Sequence, residues 1–160
     1  MASNKKVIVV GVDDSQESFY SLEWTLDHLL TPLSTTNNNL FKLIIIHAKI
    51  SALSVIHFSG PGDILPQVEA DLKKTASRIV DKAHKLCKNR SISDFQVEVC
   101  EGDPRNVLCE AVENHRADIL VVGSHGYGAI KRAILGSVSD YCTHHVHCTV
   151  LIVKKPKINR

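Results

Sequence analysis

The five cysteines form no CxxC pair, and their number is odd. A disulfide framework is therefore not indicated, and this cysteine usage agrees with a reducing compartment. The longest apolar runs, at residues 7–10 and 119–122, are far too short to span a bilayer. No apolar signal region precedes the first strand-like segment, so we expect a cytoplasmic protein.

Charge is also nearly balanced, with a formal net charge of +2. This value is too small to indicate a nucleic-acid-binding surface, and the basic tail at residues 154–157 is expected to be solvated. The apolar fraction of 44% is ordinary for a globular protein. A chain of 160 residues fits one domain, which we expect over residues 1–160 with its core at about 5–154.

Apolar strand-like segments alternate with amphipathic helical segments along the chain. Residues 7–12 form a continuous apolar run, which is typical of a central parallel strand. Residues 40–46 predict a second buried strand, which ends at His47-Ala48. Residues 95–100 alternate and predict a shorter third strand nearer the sheet edge, and two more strands are predicted at 119–122 and 149–153. Helices are predicted at about 15–30, 64–87, 103–115 and 137–146. A less regular stretch, which contains Gly60-Pro-Gly62, is predicted between the second strand and the second helix. Ser15 and Asp103 are expected to cap their helices, and the order of elements predicts an α/β fold with a parallel sheet and right-handed crossovers.

One segment carries most of the functional information. It follows the fourth predicted strand and contains residues that favour anion binding, namely Gly123, Gly126, Lys131, Arg132, Gly136 and Ser137. Glycines let backbone amides approach an anion closely, and the open N–H groups of a helix start carry partial positive charge. The segment therefore predicts a phosphate cradle. Ligands of open parallel sheets bind beyond the carboxyl ends of strands, so the turn at Asp13 should face the same crevice.

Two common phosphate motifs do not fit this segment. A P-loop needs a lysine directly after its second glycine, but Ala129 follows Gly128. A dinucleotide fingerprint that began at Gly126 would need a glycine where Lys131 stands. The alternative is that the glycines only shape turns, which leaves the coincidence of glycines, two cations and a Ser-x-Ser helix start unexplained.

The spacing Gly123-x2-Gly126-x9-Gly136-Ser137 resembles the ATP-binding motif of universal stress proteins. The chain is similar to the plant single-domain members over essentially its whole length. The likeness also includes Val10-Gly-Val-Asp13-Asp-Ser15, His47-Ala48, Gly102-Asp103-Pro104 and Cys148-Thr-Val-Leu-Ile-Val153. No fixed position of the motif departs from the pattern, which argues against the subgroup that lacks the glycines and does not bind ATP.

The resemblance implies a five-stranded parallel sheet in the order 3-2-1-4-5, Rossmann-like and similar to the adenine nucleotide alpha hydrolase fold. It implies ATP or AMP, with Mg²⁺ carried by the nucleotide, across the ends of strands one and four. Asp13 would sit at the ribose, and Gly11, Val12 and Ala48 would line the adenine pocket. The phosphates would contact Gly123, His125, Gly126, Gly136 and the Ser137-Val138-Ser139 turn. Val122 is a further expected site residue, and the charges of Lys131 and Arg132 are expected to offset that of the phosphates.

Several residues have a second interpretation. Asp13 or Asp14 would serve as a cap of the first helix, although the end of strand one favours ligand contact for Asp13. Ser137 is expected both to cap the last helix and to donate to phosphate. A solvated loop pair is the alternative for Lys131 and Arg132, while His125 lacks an obvious partner for acid–base chemistry.

The sequence ends in a cluster of cysteines and histidines that resembles a metal site, namely Cys142, His144, His145, His147 and Cys148. Structural zinc needs four ligands that converge tetrahedrally, and helical spacing sends His144 away from the face that Cys142 and His145 share. We therefore expect core cysteines and exposed histidines, with no metal.

Three functions remain open at this stage. The favoured one is a stress-response regulatory module that binds ATP or AMP and forms a homodimer through Thr149–Val153, an uncharged segment at a predicted sheet edge. The second is a slow ATPase or nucleotidyl-transfer enzyme, for which no residue that positions water or acts as a base stands at convincing spacing. The third is a dimeric chaperone-like protein indifferent to nucleotide, which the intact loop disfavours.

Overall fold

The computed structural model describes residues 5–31, 40–57, 64–124 and 136–156. Within them, five parallel strands form one sheet in the order β3-β2-β1-β4-β5. The strands are β1 (Lys6–Val12), β2 (Phe41–Lys49), β3 (Phe95–Glu101), β4 (Ile119–Gly123) and β5 (Thr149–Val153). The predicted fold class and strand order are confirmed.

Helices follow each of the first four strands. They are α1 (Gln16–Thr25), which continues as a π-helical turn over Leu26–Leu30, α2 (Ala52–His57), α3 (Leu65–Asn89), α4 (Pro104–His115) and α5 (Ser137–His145). Both predicted N-caps are present. The hydroxyl of Ser15 accepts a hydrogen bond from the Ser18 amide, and the Asp103 carboxylate accepts one from the Arg105 amide.

The sheet is covered on both faces, because successive residues of its central strands point to opposite sides. On one face, Ile8, Val10 and Leu43 belong to a core that α1 and α3 complete, with Leu22 and Ile79 among its members. On the other face, the core joins the sheet to α4 and α5 through Val9, Ile44, Leu108, Ala111 and Cys142. This double burial explains why the middle of each strand, residues 7–10 in β1 and 43–46 in β2, is continuously apolar.

The structure differs from the sequence expectation in three places. β2 extends to Lys49, one residue beyond the predicted ending at His47-Ala48. The stretch predicted to be irregular begins with α2, whose six residues are too few to show helical periodicity. β3 lies at the sheet edge as predicted, but at seven residues it is as long as β1, because it pairs with β2 along its whole length. Among the described helices, none has both the length and the apolar composition needed to cross a membrane.

Candidate functional site

A cavity of about 760 Å³ opens beyond the carboxyl ends of β1 and β2, a volume in the range typical of small-molecule sites. Its lining comes from the ends of β1 and β2 and from the neighbouring helices, namely Asp13, Asp14, Ser15, His47, Ala48, Lys49, Ile50, Leu72, Thr75, Asp103, Pro104, Arg105, Ser137 and Val138. A narrow crevice adjoins it at the end of β4 and shares Asp13, Ser137 and Val138 with it. The two together form one groove over strands one, two and four, where a parallel sheet binds ligands.

Asp13 occupies the junction between the cavity and the crevice, and only 6% of its surface is exposed. Its Oδ1 accepts a hydrogen bond from the Ser15 amide at 2.8 Å and another from the Ser15 hydroxyl. No described residue donates to its Oδ2. A buried carboxylate oxygen without a donor is costly, so this position is suited to a hydroxyl group supplied by a ligand.

His47 fixes the end of β2 to the end of β1. Its ring is buried, and Nδ1 lies 3.0 Å from the carbonyl oxygen of Val12. Because a carbonyl oxygen only accepts, Nδ1 must carry the proton, which leaves Nε2 as an acceptor in the neutral ring. His47 therefore contributes both a strand-to-strand link and a polar group to the cavity wall.

The start of α5 forms the opposite wall of the groove. Gly136 is its N-cap residue and provides no side-chain cap, so the expectation that Ser137 caps this helix is wrong. Ser137 is instead the first helical residue, because the extended backbone of Gly136 (φ −68°, ψ 158°) already holds the cap position. The Gly136 amide donates to the Ser124 carbonyl oxygen at 2.5 Å, which holds the helix start beside the end of β4. Among the described residues no side chain caps this first turn, so its N–H groups can bind an anion.

Two glycines of the groove have a packing role of their own. A Cβ at Gly123 would lie 3.0 Å from the Glu17 carbonyl oxygen, and a Cβ at Gly11 would lie 2.9 Å from the Leu108 side chain. Both distances are shorter than ordinary contacts. The approach of β4 to α1 therefore favours glycine at position 123, because the atoms that a Cβ would meet belong to the backbone.

Arg105 and Asp103 form a salt bridge at the edge of the cavity. The Nη2 and Nε atoms of Arg105 donate to the two carboxylate oxygens of Asp103 at 2.9 and 3.1 Å. These hydrogen bonds lower the pKa of Asp103 below its usual range and raise that of Arg105. The Arg105 guanidinium also lies over the Tyr141 ring of α5, with Cζ 5.6 Å from the ring centroid.

The structure brings most of the expected site residues together. The cavity contains Asp13, Ala48, Ser137 and Val138, and the crevice adds Gly11, Val122, Gly123, Gly136 and Ser139. Val12 contributes its carbonyl group to the hydrogen bond with His47. The remaining expected residues, His125, Gly126, Lys131 and Arg132, lie outside the described residues.

The other lining residues were not among the expected site residues, namely Asp14, Ser15, His47, Lys49, Ile50, Leu72, Thr75, Asp103, Pro104 and Arg105. A signal existed for Pro104 and Arg105, because they follow the end of β3 and so belong at the carboxyl edge of the sheet. Leu72 and Thr75 lie in the first half of the 25-residue helix α3. Its periodicity shows which face is buried and does not show which turns border a cavity.

The C-terminal cluster is divided between the core and the surface. Cys142 is buried and belongs to the core beneath α4, and burial raises the pKa of its thiol to about 12. His144, His145 and His147 are exposed. Within the described ranges, no three His, Cys, Asp or Glu side chains are arranged to hold a metal ion.

Comparisons with known proteins agree with this architecture. Residues 5–154 match the model of the Universal stress protein family. Universal stress protein PHOS34 of Arabidopsis thaliana is 30% identical over 176 residues, which cover 97% of this chain and 64% of that protein, so the chain spans less than two thirds of that relative.

Two solved structures share the fold. Universal stress protein UspA from Lactobacillus plantarum gives a TM-score of 0.76 at 17% identity, over 94% of this chain and 99% of that one. A universal stress protein in complex with cAMP gives a TM-score of 0.62 at 26% identity, over 94% of this chain and 98% of that one.

Proposed function

Because this chain belongs to the universal stress protein family, we propose that it binds ATP or AMP in the groove beyond β1, β2 and β4. The observation that carries the proposal is the buried Asp13 carboxylate, whose Oδ2 receives no hydrogen bond from the described residues. A ribose offers hydroxyl donors of the kind this oxygen lacks. The likeness to a protein in complex with cAMP supports an adenine nucleotide as the ligand class.

The residues present fit such a ligand. Asp13 would bind the ribose, and Gly11, Val12 and Ala48 would lie beside the adenine. The uncapped start of α5, with Ser137, Val138 and Ser139, would bind phosphate together with Gly123 and Gly136. The proposal keeps His125, Gly126, Lys131 and Arg132 as phosphate contacts on the strength of the sequence motif, with Mg²⁺ as a companion of the bound nucleotide.

We further propose that the nucleotide regulates a cytoplasmic homodimer that acts in a stress response. The dimer would join through β5, which lies at a sheet edge and pairs with β4 alone among the described strands. An uncharged edge strand with open N–H and C=O groups is a template for pairing with a second chain. A two-fold dimer would satisfy those groups on both copies.

Calorimetric titration of protein stripped of bound nucleotide tests the proposal. ATP, AMP and adenosine should each bind at one site per chain, and GTP should bind at least tenfold more weakly, a difference of about 1.4 kcal/mol. Phosphate release from ATP, measured with and without Mg²⁺, separates a binding protein from a slow ATPase. The proposal fails if none of the three adenine ligands binds at millimolar concentration.

A further inference from the structure

We propose that Arg105 sets the preference of this groove for phosphorylated over unphosphorylated adenine ligands, and that Asp103 competes with the phosphate for it. The inference rests on the proposed function and assigns a phosphate-selecting role to the start of α4, outside the glycine loop. Both side chains line the cavity and are bonded to one another there.

Arg105 borders the same cavity as the start of α5, where phosphate is proposed to bind. Its guanidinium lies over Tyr141, which is one helical turn beyond Ser137 on α5. Ser137 and Val138, from the uncapped first turn of that helix, line the same cavity. A planar guanidinium and a helix N-terminus are both anion-binding groups, and here they border one space.

The salt bridge that holds Arg105 is exchangeable. About 47% of the Arg105 side chain and 40% of the Asp103 side chain are exposed to solvent. Ion pairs this exposed contribute little, and a phosphate is a better bidentate partner for arginine than a solvated carboxylate is. Besides Arg105, Lys49 is the only positively charged side chain among the cavity-lining residues that the structure describes. Three carboxylates line the same cavity, those of Asp13, Asp14 and Asp103.

Asp103 has a second role that an experiment can keep constant. Its Oδ1 accepts a hydrogen bond from the Arg105 amide at 2.9 Å and so caps α4. Asparagine is as good an N-cap as aspartate. Asp103→Asn therefore removes the negative charge that competes for Arg105 and retains the helix cap.

The test compares AMP with adenosine by calorimetric titration of four variants and the parent protein. Arg105→Ala should weaken AMP binding by about tenfold or more and change adenosine affinity by less than about twofold. The reason is that the lost charge-assisted hydrogen bond is made to the phosphate, which adenosine does not have. The AMP affinity of Arg105→Lys should lie between those of Arg105→Ala and the parent, since lysine retains the charge without the planar guanidinium. Asp103→Asn should tighten AMP severalfold and leave adenosine unchanged. Lys85→Ala, an exposed charge removal on α3 about 15 Å along the helix from Thr75, is the control.

Each outcome decides between the two proposals. If the parent protein binds neither AMP nor adenosine, the proposed function fails and this inference fails with it. If the parent binds both and Arg105→Ala matches Lys85→Ala, the function stands and the role of Arg105 is refuted. Weaker AMP binding by Asp103→Asn, in protein whose circular dichroism is unchanged, would refute the competition. Equal loss of AMP and adenosine in Arg105→Ala and Arg105→Lys would show a structural role instead.

Discussion

Gly123, at the end of β4, lies directly against the peptide group of Glu17 in the first turn of α1. A Cβ at position 123 would be 3.0 Å from the Glu17 carbonyl oxygen and 3.1 Å from its carbonyl carbon. Backbone atoms cannot move aside as the end of a side chain does. The close approach brings β4 beside the turn that carries Asp13, and so it shapes the crevice of the groove.

Gly123→Ala should therefore destabilise the protein in the absence of any ligand. We expect a loss of about 1–3 kcal/mol in the free energy of unfolding, the usual cost of forcing an extra carbon into a packed site. Urea unfolding of the nucleotide-free protein measures it. Gly11→Ala is the matched control, because its new Cβ would meet the flexible Leu108 side chain and should cost less. A neutral Gly123→Ala would contradict the packing argument.

Asp13→Asn separates the folding role of this residue from its proposed ligand role. An asparagine oxygen can still accept the hydrogen bond from the Ser15 amide, so the turn should persist and stability should change by less than about 1 kcal/mol. Loss of the carboxylate should weaken adenosine and AMP in parallel, by about tenfold, because both share the ribose. Titration of both ligands checks this. Asp81→Asn, at an exposed residue of α3 that lines neither the cavity nor the crevice, should change neither affinity, and a normal affinity in Asp13→Asn would disprove the ribose assignment.

Acid should remove the contribution of the Asp27–Arg90 salt bridge to stability. Arg90 Nε donates to Asp27 Oδ1 at 2.5 Å, and this hydrogen bond lowers the pKa of Asp27 below its ordinary value of 3.8. A lowered folded-state pKa means that the stabilisation is present above pH 3.8 and disappears as the pH falls through the folded-state pKa. Because about half of the Asp27 side chain is exposed, we expect less than about 1 kcal/mol.

Urea unfolding of the parent protein and of Asp27→Asn at several pH values measures the contribution of this salt bridge to the free energy of unfolding. The parent should be more stable near neutral pH, and the two curves should converge in acid. Asp81→Asn, an exposed substitution on α3, is the control, and its free energy of unfolding should vary with pH as that of the parent does. A stability difference that persists unchanged into acid would contradict the assignment of Asp27.

The fold could be predicted from the sequence because its central strands are buried on both faces. The middle of each strand is therefore continuously apolar. Ser15 and Asp103 mark helix starts through hydrogen bonds to nearby amides, which a local sequence pattern predicts. β2 ends one residue beyond the predicted His47-Ala48, because the charged Lys49 does not resemble a residue of a buried strand. Pairing with β3 extends the strand to Lys49, and such pairing is not visible in one segment alone.

The candidate site was only partly accessible to sequence reasoning. Asp13 and Ser137 follow from the rule that ligands bind at the carboxyl edge of a parallel sheet. Leu72, Thr75 and Arg105 enter the cavity through the packing of α3 and α4 against the sheet, which depends on tertiary contacts rather than on local pattern. The assignment of a cap to Ser137 was wrong for a local reason, since Gly136 reaches the cap position first.

The proposed dimer requires that β5 direct unpaired backbone groups to the open edge of the sheet. The Thr149 amide donates to Asp118 on the β4 side, and the Val153 carbonyl oxygen accepts from Ser124 on the same side. Because backbone groups of a parallel strand alternate between its two neighbours, Val150 and Ile152 direct their N–H and C=O groups to the open edge. A second copy of β5 would pair with those groups.

Ile152→Pro should therefore convert a dimer to a monomer. Proline removes a backbone donor that faces away from β4, a position where a sheet edge tolerates it, so the chain should still fold. The matched control is Val99→Pro on the opposite edge. There, the Asp94 and Gly102 hydrogen bonds to β2 place the Val99 amide outward in the same way. Light scattering should give about twice the 17.7 kDa chain mass for the parent and Val99→Pro, and about one chain mass for Ile152→Pro. A monomeric parent at micromolar concentration, or a dimer that survives Ile152→Pro, would rule out pairing through β5.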